Sequence, residues 1–181
     1  MTELTNLPVY KLIKRLTDKG VVLDFVILLN ETEQSGLLQH KDAAITAMKI
    51  ISEQQSYFAI HWDETLPVAV PYSTEQFFTM PKDGFWLRKS HSAFLLNEVA
   101  EYAEYAYSFL EPPHGNSCLI SDWEELNIAL FSSPENLEIY RWSTDWSNYF
   151  EAGLEWWGAF YWTVYDRLSN FFVVIGGSTT D

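Results

Sequence analysis

Residues 156–178 read Trp156-Trp-Gly-Ala-Phe-Tyr-Trp-Thr-Val-Tyr-Asp-Arg-Leu-Ser-Asn-Phe-Phe-Val-Val-Ile-Gly-Gly-Ser178. Trp156 to Asp166 has the aromatic and β-branched composition of a strand, Arg167 to Asn170 that of a turn, and Phe171 to Ile175 that of a strand pairing back. Period-two alternation puts Trp156, Gly158, Phe160, Trp162 and Val164 on one face. It puts Trp157, Ala159, Tyr161, Thr163 and Tyr165 on the other. Both faces are apolar, so the hairpin belongs at the centre of a sheet, covered by helices on at least one side. Aromatic cross-strand pairs add about 0.2–1 kcal/mol each to such a ladder.

Working outward, Leu137–Trp142 alternates as a strand and Val21–Leu29 is a buried, β-branched run. Short strands are predicted at Tyr57–Trp62 and Phe85–Lys89. Between them Pro67, Pro71 and Pro81 predict an extended segment and a loop around a Thr74–Met80 turn, since proline cannot donate to a central ladder. Asn6 is placed to cap a first helix with Pro8 in its first turn, and Gly20 to end it. Ala44, Ile45, Met48 and Ile51 make the stripe of a helix over Lys41–Gln54. Leu95, Val99, Tyr102, Ala106 and Phe109 make that of a helix over Ser92–Leu110, stopped by Pro112-Pro113. Ser121 and Glu124 form the pattern of a capping box for a helix from Asp122 to about Phe131, whose first-turn acids suit the helix dipole. Helices and strands in this order, closed by an antiparallel hairpin, predict an α+β fold: a mixed or antiparallel sheet with a C-terminal hairpin packed against helices. With 181 residues and no repeat or linker, residues 1–181 are expected to form a single domain.

The net charge is −14 and lopsided. Residues 1–89 carry 9 basic and 11 acidic side chains; residues 90–181 carry 2 basic ones, Arg141 and Arg167, and 14 acidic. Such a field opposes nucleic acid and anionic membrane, and speeds encounter with a basic partner. The same charge also keeps a chain of 17% aromatic residues soluble. The single cysteine, Cys118, allows no internal disulfide. Met1–Leu16 lacks the apolar stretch of a signal peptide, and no run is long enough to span a membrane. A cytoplasmic protein is expected.

No catalytic motif is present. The four histidines form no i, i+4 pair, and His61-Trp-Asp63-Glu64 is the only tight group of potential metal ligands, so neither a metal nor a cofactor is expected. Gly176-Gly177-Ser178 follows a strand but no helical pattern follows it, unlike a nucleophile elbow. Cys118 and His114 are close in sequence, but a small thiol in the interior accounts for the cysteine. Asp145, Glu151, Glu155 and Asp166 among Trp142, Trp146, Trp156, Trp157 and Trp162 are the best material for glycoside chemistry, where paired carboxylates work beside aromatic platforms.

The densest feature is residues 141–158, with four of the eight tryptophans and Asp145, Glu151 and Glu155 threaded between them. Tryptophans anchor binding hot spots, and acids around them steer and pair with cations. Trp156, Trp157 and Trp162 are expected in the core. Trp142 and Trp146 are candidate anchors. Trp146-Ser-Asn-Tyr-Phe-Glu-Ala-Gly-Leu-Glu-Trp-Trp-Gly158, Phe160-Tyr-Trp-Thr-Val-Tyr-Asp166 and the ending Val173-Val-Ile-Gly-Gly-Ser-Thr-Thr-Asp181 resemble the C-terminal end of small bacterial immunity proteins of toxin–immunity loci, including those of contact-dependent growth inhibition. The resemblance covers about the last quarter of the chain. It implies a cytoplasmic protein that binds one cognate toxin domain and blocks it. Nuclease toxins of this kind are often basic, which an acidic inhibitor would suit.

The leading expectation is a non-enzymatic inhibitor, monomeric or in a 1:1 complex, that occludes a basic toxin domain with nuclease activity and touches neither nucleic acid nor membrane. Its candidate contacts are Glu98, Glu101 and Glu104 on the long helix, Asp122, Glu124 and Glu125 on the next, and Trp142, Asp145, Trp146, Glu151 and Glu155. The alternatives are a small carbohydrate-binding or glycoside-cleaving protein and a non-catalytic scaffold domain.

Overall fold

The computed structural model describes residues 1–32, 34–55, 57–79, 103–154 and 157–179. The aromatic hairpin lies at the centre of its sheet. Strand β5 (Ala159–Asp166) is buried at every position, and β6 (Phe171–Ser178) pairs with it from Asp166↔Phe171 to Ala159↔Ser178. β6 runs three residues past Ile175, because Gly176, Gly177 and Ser178 continue the ladder. On the other side of β6 lies β2 (Asp24–Leu29), followed by the two-residue β1 (Thr2–Glu3). On the other side of β5 lies β4 (Leu137–Trp142), then the edge strand β3 (Ala69–Pro71). The order β1-β2-β6-β5-β4-β3 is antiparallel throughout, so the fold is α+β. Pro71 sits at an edge, where its missing N–H leaves no gap in a central ladder.

Helices cover both faces. Phe160, Trp162 and Val164 of β5 pack beneath α1 (Val9–Asp18), α3 (Thr74–Phe77), α4 (Glu104–Leu110) and α5 (Ile120–Leu130). Ala159, Tyr161 and Tyr165 face α2 (Leu37–Gln54) and the segment around Tyr149 and Phe150. The alternation holds from Ala159 onward and fails before it. Trp157 joins the Phe160 side, with ring centroids 5.1 Å apart, not the Tyr161 side expected for it. Gly158 is the reason: it takes φ +120°, its N–H bonds to the Gly153 carbonyl at 2.7 Å, and the pleat starts only after it.

Thr163 is the polar exception on β5. Trp142 Nε1 donates to its Oγ1 at 3.0 Å, and His40 Nδ1 lies 2.7 Å from the same oxygen. Burial lowers the pKa of His40 to about 3, and the ring stays neutral at physiological pH.

Several local expectations are corrected. Asn6 does not cap α1; Pro8 occupies the cap position, while Gly20 does end the helix, with Gly20 N bonded to Thr17 O and Val21 N to Leu16 O. Helix α2 begins at Leu37, four residues early, behind Gly36. Helix α5 begins at Ile120, not behind Ser121, because the Asp122 carboxylate reaches back to Leu119 N at 2.8 Å. Tyr57–Trp62 is not a strand and makes one bridge, Trp62↔Ser147. The Thr74–Met80 turn contains α3, capped by Ser73 and Gln76. The expected strand Phe85–Lys89 and the start of the Ser92–Leu110 helix lie outside the described residues. Every residue from Tyr105 to Leu110 of α4 is buried, so this turn of the helix lacks the solvated face expected of it. Among the described residues no helix is long and apolar enough to cross a membrane.

Candidate functional site

Beyond Trp142 the chain leaves the sheet through residues 143–147, forms a 3-10 turn at Asn148–Phe150 and enters the short helix α6 (Glu151–Leu154). Residues 59–63 run alongside. Asn148 stitches the two segments together: its Oδ1 accepts from His61 N at 2.7 Å, its Nδ2 donates to Ala59 O at 3.1 Å, and its N donates to His61 O at 3.2 Å. Asp63 N adds a bond to Trp146 O at 2.9 Å. A side-chain amide thus takes up backbone groups that a ladder would otherwise pair, which is why this region reads as a strand but is not one.

Between the segments opens a cleft of ≈ 480 Å³. Asp63, Asp145 and Glu151 line it and are exposed, and Trp62 lines it half-buried; among the described residues no Lys or Arg lines it, although Lys41 is near enough to Asp63 to help lower its carboxyl. Asp63 Oδ1 accepts from Thr65 Oγ1 at 2.6 Å and Thr65 N at 2.8 Å, which holds its carboxyl below the usual range. Asp63 is therefore charged at neutral pH and fixed in direction.

The floor is aromatic. Trp146 is 2% exposed, packs edge-on against Phe150 and Tyr161, and donates Nε1 to Ser143 O at 2.6 Å. Trp142, 1% exposed, lies deeper. Both were expected as anchors for a partner; both are interior, because the alternation of β4 points Trp142 at α2 and the indole of Trp146 closes the underside of the cleft. The outer wall is fastened twice. Tyr149 Oη donates to Asp24 Oδ2 at 2.7 Å, and Gly153 N donates to Ser178 Oγ at 2.9 Å. Gly176 makes room for the first bond: a Cβ there would lie 3.0 Å from Tyr149 Oη and 3.1 Å from the Tyr161 ring. Burial pushes the Asp24 carboxyl up, and the Tyr149 hydroxyl partly offsets this.

The other candidate acids are elsewhere and mostly engaged. Glu104 forms a two-pronged pair with Arg141, at 2.5 and 2.8 Å. Asp122 takes Lys19 Nζ at 2.6 Å besides its capping bond, and its carboxyl is held low by both. Glu125 meets Arg15 at 2.5 Å. Glu124 is exposed on α5. Glu98, Glu101 and Glu155 lie outside the described residues. Asp166, considered with Asp145 and Glu151 for glycoside chemistry, is at the far end of β5 and 1% exposed, so it does not join them. Burial pushes the Cys118 thiol up, which disfavours a nucleophilic thiolate.

Trp62 and Asp63 enter the site without having been candidates for it. The sequence marks them only within the His61-Trp-Asp63-Glu64 group of potential metal ligands; what joins them to Asp145 and Glu151 is a contact spanning 87 residues, from His61 to Asn148. Among the described residues no group of three or more His, Cys, Asp or Glu is placed to hold a metal ion. Compared with models of protein families, with curated proteins and with solved structures, the chain matches none.

Proposed function

We propose that this chain is a non-catalytic inhibitor of the immunity-protein kind, which binds a basic surface of one partner protein and covers it. The supporting observation is the separation of its acids. Glu104, Asp122 and Glu125 have ion-paired cations of their own, whereas Asp63, Asp145 and Glu151 share with Trp62 an open cleft that no Lys or Arg lines among the described residues, Lys41 acting on Asp63 from outside that lining. A Lys or Arg entering that cleft would find the carboxylates of Asp63, Asp145 and Glu151 and the indole of Trp62 in its lining, residue types that favour charge-assisted bonds and cation–π contact. The net charge of −14 would steer its approach. A nuclease toxin domain as the partner, and the cytoplasm as the place, belong to this reading through the C-terminal resemblance.

The test is affinity capture from the native cell by the full chain and by the triple variant Asp63→Lys, Asp145→Lys, Glu151→Lys. The native chain should retain one basic protein in 1:1 ratio, released by salt and able to inhibit growth when expressed alone. Equal capture by the triple variant would remove the cleft from the interface, and an acidic or absent partner would remove the reading.

Trp62 beside Asp145 and Glu151 also favours a second reading, a sugar-binding cleft. A saturable change in Trp fluorescence with neutral oligosaccharides, and none with a basic protein, would support it.

A further inference from the structure

The contact between α2 and the sheet holds an ionisable ring in its interior. His40, in the first turn of the helix, is fully buried and lies against Tyr140 of β4 and Phe172 of β6, with ring centroids 4.6 and 4.9 Å away. Nδ1 is 2.7 Å from Thr163 Oγ1 of β5, an oxygen that already accepts from Trp142 Nε1. Nε2 is buried and has no hydrogen-bond partner among the described residues. Ala43, Ala44 and Ala47 seat the helix close on the strands, so the ring cannot swing out to water without the helix lifting.

A neutral imidazole carries one N–H; an imidazolium carries two and a positive charge. The surroundings are poor in groups that could receive them. From β4, Glu138 Oε1 stands 3.7 Å from Nε2, outside hydrogen-bond reach, while Glu138 Oε2 is 3.4 Å from Arg167 Nη2. Tyr140, also of β4, offers its ring. From β5 come Tyr161 and Tyr165, whose hydroxyls bond to Ala44 O and Asn170 Oδ1. From β6 come Phe172 and Val174, and from β2 Val26 and Leu28; Asp24 of β2 is bonded to Tyr149. On α2 itself Lys41 is half-buried and Asp42 exposed. A proton on His40 would therefore put a charge in an apolar layer, with one carboxylate near it that an arginine already shares.

We propose that His40 makes the seating of α2 acid-labile: the neutral ring fits the interface, and a proton on it drives the helix off the sheet. Burial holds the pKa of the folded ring at about 3, against about 6.5 in the unfolded chain. Above about pH 6.5 neither state takes the proton. Below it the unfolded chain does and the folded chain does not, so stability is lost progressively as the pH falls towards about 3.

The test is urea unfolding of the full chain between pH 7 and pH 4, beside His40→Gln, which keeps an amide for Thr163 and binds no proton. Between pH 6 and pH 4 the folding constant of the native chain should drop about 50–100-fold more than that of the variant. His40→Phe, an aromatic ring without the proton site, replaces the glutamine variant if that one fails to fold. In the native chain the NMR signals of the His40 ring should stay those of a neutral imidazole down to the pH at which the chain unfolds. Parallel pH dependences overturn the proposal. So does a His40 ring that titrates near pH 6.5 in the folded chain, or a native chain that gains on the variant in acid because the ring closes on Glu138.

Discussion

Asp145 and Asp166 lie near opposite ends of the central hairpin and have opposite fates. Asp145 stands exposed on a cleft wall beside Asp63 and Glu151. Asp166 is buried, and its oxygens are taken by Ser132 and Leu168. The residue type is the same; what differs is the supply of donors. The end of α5 brings a backbone N–H and a hydroxyl to Asp166, so the carboxylate turns inward and organises the β5–β6 turn. The loop after β4 leaves Asp145 in water, so its charge remains available to something else. A count of acids is therefore a poor guide to a binding surface; only an acid without an internal partner can contribute fully to one.

The contrast between interior and cleft can be broken most forcefully at Trp142. If it belongs to the core, Trp142→Ala should destabilise the fold by about 3–5 kcal/mol in urea unfolding, through the void and the loss of its bond to Thr163. A variant of native stability that lost only partner binding would return Trp142 to the surface and undo the assignment. A smaller effect is expected at Asp122, an acid that serves the fold. Asp122→Asn should cost about 1–2 kcal/mol at pH 7, by weakening the bonds to Lys19 and Leu119. Because its folded pKa lies below the unfolded value of about 3.9, that stability is complete above about pH 5 and is lost as the pH falls through the folded value. The native chain and the variant should therefore converge in acid, and a difference that persisted at about pH 2 would contradict the ion-pair account. The smallest effect belongs to the cleft: Asp145→Lys and Glu151→Lys should each change stability by no more than about 0.5 kcal/mol, as for surface positions without partners. A large loss would mean that these acids serve the fold after all.

The aromatic hairpin was legible because its signal is local. Alternation from Ala159 to Asp166, a four-residue polar turn and a β-branched return suffice to place it at the centre of a sheet. The β4 strand, the end of α1 at Gly20 and the stripe of α2 were legible for the same reason. Trp157 was misplaced because one glycine with positive φ resets the pleat, and period-two counting cannot see it. The start of α5 was misplaced because Asp122 competes with Ser121 to close the first turn, and the backbone decides between them.

The candidate site was legible only in half. Asp145 and Glu151 stand out among tryptophans, but the candidate anchors Trp142 and Trp146 are interior, Trp146 beneath the cleft and Trp142 deeper, and nothing local connects Trp62 and Asp63 to them. By itself the sequence determined an α+β fold around an aromatic hairpin and a large negative charge, since these follow from composition and from neighbours a few residues apart. Which acids find cations within the fold and which stand exposed was decided only by tertiary structure. The reason is that a hydrogen bond is a condition on distance and direction between groups as far apart in the chain as His61 and Asn148, and no local pattern records it.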